Sequence, residues 1–381
     1  MFLKARDTVD LFSSEHSLIN KNIKIARPFR FNEEVTIGKI TVGKNNPTML
    51  IAEIGINHQG SKKMLIDLLS KVKKSGFDYA KLQTYFSDRV SNTAKSAKYA
   101  DKTLDAEETM NEMFSRLQLS KKEHELAFEW SHKNNLPLFS TPFDEESVDL
   151  LLKYNVDAFK IASFDAVNLP LIKYIASKKR PIILSTGMCG MTEIEDALEA
   201  VASQDNKNLI LLHCVSAYPA DPRDINLSVI KNLQNTLKIP IGYSDHTVGN
   251  TVANASMALG AHVLEKHFTL NQLYEGSDHA LSANFNDLKD ISKNRNIIFS
   301  ALGDGIKKSS FSENLQINSQ RKSLFTSKKI IKGEKLSLKN ITIKGPGHGL
   351  YPKYLNLVLG KKVVVDIKKD SPITWDALLK S

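Results

Sequence analysis

Residues 239–268 read IPIGYSDHTVGNTVANASMALGAHVLEKHF. Two short apolar runs, IPIGYSD at 239–245 and AHVLEKHF at 261–268, bracket this stretch. His246 follows the first run, and His267 closes the second 21 residues later. One polar tip on an apolar strand is ordinary, so what matters is whether the pattern extends along the chain. It does, through TMLIAEIG (48–55), DYAKLQTY (78–85), LPLFSTP (136–142), DAFKIAS (157–163), PIILSTG (181–187) and LILLHCV (209–215). Between the runs lie segments of helical spacing such as KKMLIDLLSKVKKSG, KKEHELAFEWSHKN, EESVDLLLKYN and MTEIEDALEAVAS. Strands alternating with amphipathic helices argue for repeated βα units and a parallel sheet. Eight units predict a TIM (β/α)8 barrel. A doubly wound open sheet is the runner-up, disfavoured because no run is followed by GxGxxG.

Polar residues cluster at the C-terminal ends of these runs: Glu53 and Asn57, Lys81 and Gln83, Ser140 and Thr141, Lys160 and Ser163, Ser185, His213 and Ser216, Ser244 and His246, Glu265 and His267. In a barrel those ends form one rim, where active sites are assembled from several strands. Lysine inside an apolar run is unusual, because burying an unpaired ammonium is costly. It occurs at Lys81 and Lys160. With Thr141, Ser163, Ser185 and Ser244 these lysines offer charges and hydroxyl donors suited to a small, multiply anionic ligand. A lone histidine is more often structural. His246 and His267 on adjacent strand ends, beside an anion site, instead make a pair able to share one divalent ion, with Glu53 or water completing the shell. Glu53 is equally a candidate general base. Asp245 is expected to orient an imidazole.

Composition excludes several classes. With 381 residues, 41% hydrophobic and 25% charged, the chain has the make-up of a folded protein with a large core. The opening MFLKARDTVD carries charges where a secretory signal needs an apolar region, and no stretch approaches ~18 apolar residues. A cytoplasmic location without membrane association is the expectation. Cys189 and Cys214 form no CxxC pair. The net charge of +10 resides in residues 321–381, which hold 14 Lys and Arg against 4 Asp and Glu. Their lysines are dispersed without interleaved aromatics, so nucleic acid is not the expected partner. Attraction of an anionic substrate is the sharper use of that charge.

In their order, IAEIGINHQGS, KLQTY, STPF, FKIASFD, LPLIKYIA, PIILSTGM, LLHCVSAYP, GYSDHT and LEKHFTL resemble the sialic acid synthase (N-acetylneuraminate synthase) family from about residue 47 onward. The resemblance implies a TIM barrel with a C-terminal antifreeze-like (SAF) domain, usually in a domain-swapped homodimer. It also implies condensation of phosphoenolpyruvate with an open-chain N-acyl amino sugar, releasing phosphate and giving a nine-carbon keto acid. Carried over by motif, His246 and His267 would hold the divalent ion, manganese before magnesium, and Glu53 would be the acid or base. Lys81, Thr141, Lys160, Ser163, Ser185 and Ser244 would hold phosphoenolpyruvate. Gln83, Tyr218 and Asp278 would face the sugar. The sequence departs from the N-acetylneuraminate-forming pattern at Asp165, where glutamate is usual, and at Ser216, where asparagine is usual. Gly345 replaces an arginine, so either Lys344, Lys353 or Arg321 takes its role or the acyl pattern of the sugar differs. The product is thus open between neuraminic, legionaminic and pseudaminic acids. A phosphate-sugar lyase on the same barrel and a non-catalytic carbohydrate binder are the remote alternatives.

The expected divisions are an N-terminal extension and hairpin at 1–46, the barrel at 47–302, a polar linker at 303–320 and the antifreeze-like domain at 321–381. FNEEVTIGKITVGKNN reads as a hairpin that turns at GKNN and plugs the barrel bottom. KKIIKGEKLSLKNI and VVDIKKDSPITWDALL share a weak internal repeat that fits a small pseudo-symmetric β unit, expected to cap the anionic site.

Overall fold

A computed structural model describes residues 30–90, 110–346 and 348–378. Residues 1–29 of the N-terminal extension fall outside that description. The chain divides into two compact units, 1–303 and 304–381.

All eight apolar runs contain strands, and every strand residue is buried except Gln83, which is half-buried. They are β3 (Met49–Gly55), β4 (Tyr79–Thr84), β5 (Leu138–Pro142), β6 (Phe159–Ile161), β7 (Ile182–Ser185), β8 (Leu209–Cys214), β9 (Ile241–Asp245) and β10 (Val263–His267). Parallel strands covered on both faces need unbroken apolar sequence, which is why the runs stand out. They close in the order β10-β3-β4-β5-β6-β7-β8-β9, a TIM barrel. The closing seam pairs His267 with Glu53, and β9 meets β10 through Tyr243–Leu264, Ser244–Glu265 and Asp245–Lys266.

The helices between strands carry local stop and start signals. Ser61 caps Lys62–Ser75 by accepting from the Met64 amide, and Gly76 ends that helix at φ +86°. Ser120 and Glu123 form a reciprocal capping box on Lys121–Asn134. The N-terminal hairpin consists of β1 (Val35–Ile37) and β2 (Ile40–Val42). Its turn is Gly38–Lys39, with Gly38 at φ +54°, and not the expected GKNN, whose backbone closes a separate turn from Gly43 to Asn46. A two-residue turn wants a positive φ at once, and glycine meets that need first. Val35, Ile37 and Val42 join the main core, and the Tyr79 hydroxyl at the start of β4 donates to the Ile37 carbonyl at 3.1 Å. The hairpin therefore seals the N-terminal end of the barrel.

In the second unit, the stretch read as a polar linker folds into a helix at Asn314–Gln320, with Phe311 and Leu315 exposed. β11 (Ser323–Thr326) and β12 (Ile341–Lys344) pair antiparallel over a separate core that includes Leu324, Leu336, Val358 and Ile373. The weak repeat is real in three dimensions. Ile330 and Ile367 exchange both backbone hydrogen bonds, 2.9 and 2.8 Å long. Gly333 and Asp370 hold equivalent left-handed positions, and Leu336 and Ile373 are equivalent buried side chains.

Candidate active site

Side chains alternate in direction along a strand, so each barrel strand sends every second residue into the barrel axis. Lys81 and Gln83 of β4, Ser244 of β9, and Glu265 and His267 of β10 all point this way. With Glu53, Thr141, Lys160, Ser163, Ser185, Ser216, Tyr218, His246 and Asp278 they line one cavity of about 720 Å³ at the C-terminal rim. Asp165 is the exception among the expected site residues. It lies in the 3-10 turn after β6, outside that lining, where Asn168 donates to its Oδ1 at 3.1 Å. Burial pushes its carboxyl up to about 6.

The two lysines do not stand as bare cations. Lys81 Nζ lies 2.6 Å from Glu53 Oε2 and 3.7 Å from Glu265 Oε2, and it donates to Thr141 Oγ1 at 3.0 Å. Lys160 Nζ lies 3.6 Å from Glu265 Oε1 and donates to Ser185 Oγ at 2.7 Å. Ser244 also donates to Glu265, at 3.1 Å. Glu265 thus bridges both ammonium groups. It was visible at the rim in the sequence, yet no role was assigned to it. Its signal was its place two residues before His267, on the same face of β10.

These carboxylates correct the inference that buried lysine alone demands an anionic ligand, since each ammonium has an internal partner. Burial, opposed by the Lys81 ammonium and reinforced by Glu265, pushes Glu53 up to about 7. Burial lowers Lys160, against the pull of Glu265. When Glu53 holds a proton, Lys81 and Lys160 share the Glu265 carboxylate alone, and this part of the cavity is locally positive. In that state the cavity attracts an anion.

The two imidazoles lie side by side with ring centroids 5.3 Å apart, and Tyr218 stacks on His246 at 4.2 Å. His246 Nδ1 donates to the Val215 carbonyl at 2.8 Å; burial opposes its protonation, but Cys214 and that carbonyl hold it above the ordinary imidazole value, so its Nε2 offers a lone pair only once it gives up a proton. His267 Nδ1 is buried without a hydrogen bond, 3.4 Å from Asp278 Oδ2 in poor alignment. Burial and the nearby cationic groups, His246 foremost, hold His267 well below the usual imidazole range, so it is neutral. Two neutral-capable imidazoles, one with an orphaned nitrogen, fit two positions of a divalent ion's shell. Among the described residues no group of three or more His, Cys, Asp and Glu is placed to hold a metal. Glu53 is committed to Lys81 and, through Oε1, to Gln83 at 3.1 Å, so it is not free to complete such a shell.

Two further expectations change. Asp245 touches neither imidazole; its carboxylate takes Lys266 and the Thr247 amide and hydroxyl. His213 turns out of the barrel, where its Nε2 meets the Ile225 carbonyl at 2.6 Å. One wall escaped the sequence altogether. Ile56, Val90, Met113, Phe114, Phe143 and Phe164 give the cavity an apolar side, backed by Tyr85 and Leu117. Met113 and Phe114 come from the helix Met110–Leu117, part of a long excursion after β4. Gly187 packs behind two lining hydroxyls, since a side chain there would collide with those of Ser216 and Ser163.

In the second unit, the three groups proposed to replace the missing arginine at Gly345 all have local partners. Lys344 pairs with Asp370, Arg321 reaches the Tyr351 hydroxyl at 3.3 Å, and Lys353 sits 4.9 Å over the Tyr354 ring.

Comparison with known proteins places this site in a family. An N,N'-diacetyllegionaminic acid synthase from Campylobacter jejuni is 41% identical over 86% of this chain and 98% of its own length. The human N-acetylneuraminate-9-phosphate synthase is 32% identical over 87% of this chain and 93% of its own. Among solved structures, the N-acetylneuraminic acid synthetase of Leptospira borgpetersenii, in complex with citrate, is 33% identical. It superposes with a TM-score of 0.68, covering 76% of this chain and 96% of that one. The NeuB family model matches residues 68–307 and the SAF domain model residues 321–379. A barrel with this rim, followed by this small β unit, belongs to the NeuB family.

Proposed function

We propose that the chain condenses phosphoenolpyruvate with an open-chain N-acyl amino sugar, forming a nonulosonic acid and free phosphate. One observation carries the proposal: a single cavity sets two neutral-capable imidazoles beside two lysines whose carboxylate partners include one poised near neutrality. The activities of its relatives, legionaminic, pseudaminic and neuraminic acid synthesis, support the reaction class.

Lys81 and Lys160, with Thr141, Ser163, Ser185 and Ser244, bind the phosphate and carboxylate of phosphoenolpyruvate. Glu265 is the internal counter-charge that keeps both ammonium groups buried and charged before the substrate arrives. Gln83, Ser216, Tyr218 and Asp278 orient the sugar. A divalent ion held by His246 and His267, manganese in preference to magnesium, would supply Lewis acidity at the aldehyde. The enol carbon forms a bond to the aldehyde carbon, whose oxygen takes a proton from Glu53. Water then adds to the resulting cationic carbon and returns its proton to Glu53. The tetrahedral adduct breaks its carbon–oxygen bond to phosphate, its hydroxyl proton leaves with the phosphate, and a keto acid remains. Proton uptake and release at Glu53 balance over the cycle.

The apolar wall bears on which sugar is used. Aromatic and aliphatic surface suits acetamido methyl groups and a deoxy carbon, whereas a phosphate there would lose its hydration without a partner. A 2,4-diacetamido-6-deoxy hexose is the substrate this wall favours, over N-acetylmannosamine or its 6-phosphate. The NeuB-type homodimer and a cytoplasmic location belong to the same proposal. No helix among the described residues is long and apolar enough to cross a membrane.

Phosphate release measured with each of the three sugars, with and without chelator, tests the reading. Turnover is expected with the diacetamido sugar and a divalent ion, and lost in His267→Ala while circular dichroism stays unchanged. Silence with every sugar overturns the synthase, and full turnover in chelator overturns the metal.

A further inference from the structure

A third lysine lies inside an apolar run, and it points away from the cavity. Lys266 sits between Glu265 and His267 in β10, so the alternation that sends its neighbours to the barrel axis sends Lys266 outward. Its side chain is 1% exposed and its partner Asp245 wholly buried. Nζ reaches Asp245 Oδ2 at 2.7 Å and the Thr247 carbonyl at 2.8 Å. Asp245 Oδ1 in turn accepts from the Thr247 amide at 2.9 Å, the Thr247 hydroxyl at 2.8 Å and the Tyr243 hydroxyl at 3.3 Å.

The residues so tied are those on either side of His246. The backbone ladder between β9 and β10 ends at the Asp245–Lys266 pair, one residue before His246. His267 is still held by its pairing to β3, whereas His246 stands on a turn beyond the last β9 rung. The Val215 carbonyl sets the rotation of the His246 ring, and the Ala220 amide donates to the His246 carbonyl at 3.0 Å, which ties this turn to the segment that follows β8. The Lys266 ammonium supplies the tie in the other direction, by reaching across from the strand that carries His267. A buried ion pair is seldom a better source of stability than apolar side chains of the same volume, so its value here is geometric.

We propose that Lys266, paired with Asp245, is a positioning residue that fixes the spacing of His246 and His267; this rests on the reading of those histidines as a metal site. Indirect supports of this kind typically change metal affinity by about 10- to 100-fold. The test uses the full-length protein stripped of metal. The double variant Lys266→Met with Asp245→Asn removes both charges together, so neither is left buried alone. Mn²⁺ affinity is read by the electron paramagnetic resonance of the free ion, and hydrogen exchange is read over residues 245–249. The expected result is a folded variant with at least about tenfold weaker Mn²⁺ binding, faster exchange in that turn, and turnover largely restored by excess Mn²⁺. Lys266→Arg keeps the charge but displaces it, and it should lie between the variant and the wild type. A folded double variant with wild-type Mn²⁺ affinity overturns the clamp and leaves the metal site standing. Should the double variant not fold, wild-type affinity in Lys266→Arg overturns it equally. A wild-type protein that binds no Mn²⁺ overturns the metal site, and the clamp with it.

Discussion

The barrel mouth and the C-terminal unit use lysine in opposite ways. Residues 321–381 carry the whole ten-charge excess, and their lysines are mostly exposed. Lys81, Lys160 and Lys266 contribute nothing to net charge, because Glu53, Glu265 and Asp245 balance them. Net charge therefore points at a different unit from the one that holds the cavity. A solvated ammonium is screened within about 10 Å at ordinary salt, whereas a buried one changes the protonation of whatever lies beside it.

The largest expected effect tests the buried side of this contrast. In the free enzyme Glu53 is raised to about 7 and enters the reaction protonated, so kcat/KM should fall as pH rises through that value. Glu53→Gln should lower kcat by about 10²- to 10⁴-fold and abolish the limb. Stability carries the same signature with a definite sign. Between the ordinary carboxyl value and about 7 the folded protein keeps a proton that the unfolded chain has released. Stability contributed by this group therefore declines as pH rises across that window, and the glutamine variant should lose the decline. Melting temperatures at pH 5 and pH 7.5 check this, and parallel slopes in both proteins would remove Glu53 from the acid–base role.

How much of the site was legible follows from where each residue sits relative to a strand. The eight barrel strands announce themselves because both faces are buried and the sequence has no polar alternation to hide them. Thirteen of the fourteen expected site residues line the cavity for a related reason, since a polar residue at a strand end can only turn into the rim or away from it. Asp165 shares its 3-10 turn with Ser163, which does line the cavity; on such a turn the alternation of a strand no longer says which residue faces the rim. Lys266 carries no rim signal in the sequence because it falls between Glu265 and His267, on the face of β10 turned from the cavity, and nothing local names Asp245 as its partner. The apolar wall was illegible for another reason. Met113 and Phe114 read as an ordinary helix core, and nothing local says that their neighbours will be Ile56 and Phe143.

That wall gives an intermediate test, within one cavity, of its charged floor against its apolar side. Phe114→Ala removes buried aromatic surface beside Phe143, with ring centroids 6.5 Å apart. Losing an apolar contact of this kind costs about 1–3 kcal/mol of discrimination. The sugar KM should rise roughly 5- to 100-fold for a diacetamido deoxy hexose. The KM for phosphoenolpyruvate should stay within about twofold, since that ligand's partners are on the floor. A variant in which both constants rise together would mean that the wall supports the fold of the cavity and not the choice of sugar.

The smallest effect belongs to the basic unit. Lys368 and Lys369 are exposed, and neither side chain takes part in an ion pair among the described residues. Reversing both with Lys368→Glu and Lys369→Glu lowers the local charge by four units, yet the field it alters is screened by salt. If the excess only guides an anionic substrate, kcat is unchanged and kcat/KM for phosphoenolpyruvate falls by less than about threefold at low ionic strength. The difference should vanish at about 0.3 M salt, where the screening length is shorter than the reach of the steering field. Stopped-flow or steady-state kinetics over a salt series measures it. A salt-independent loss of kcat would place these lysines in the chemistry, and the division between balanced interior lysines and solvated exterior ones would no longer hold.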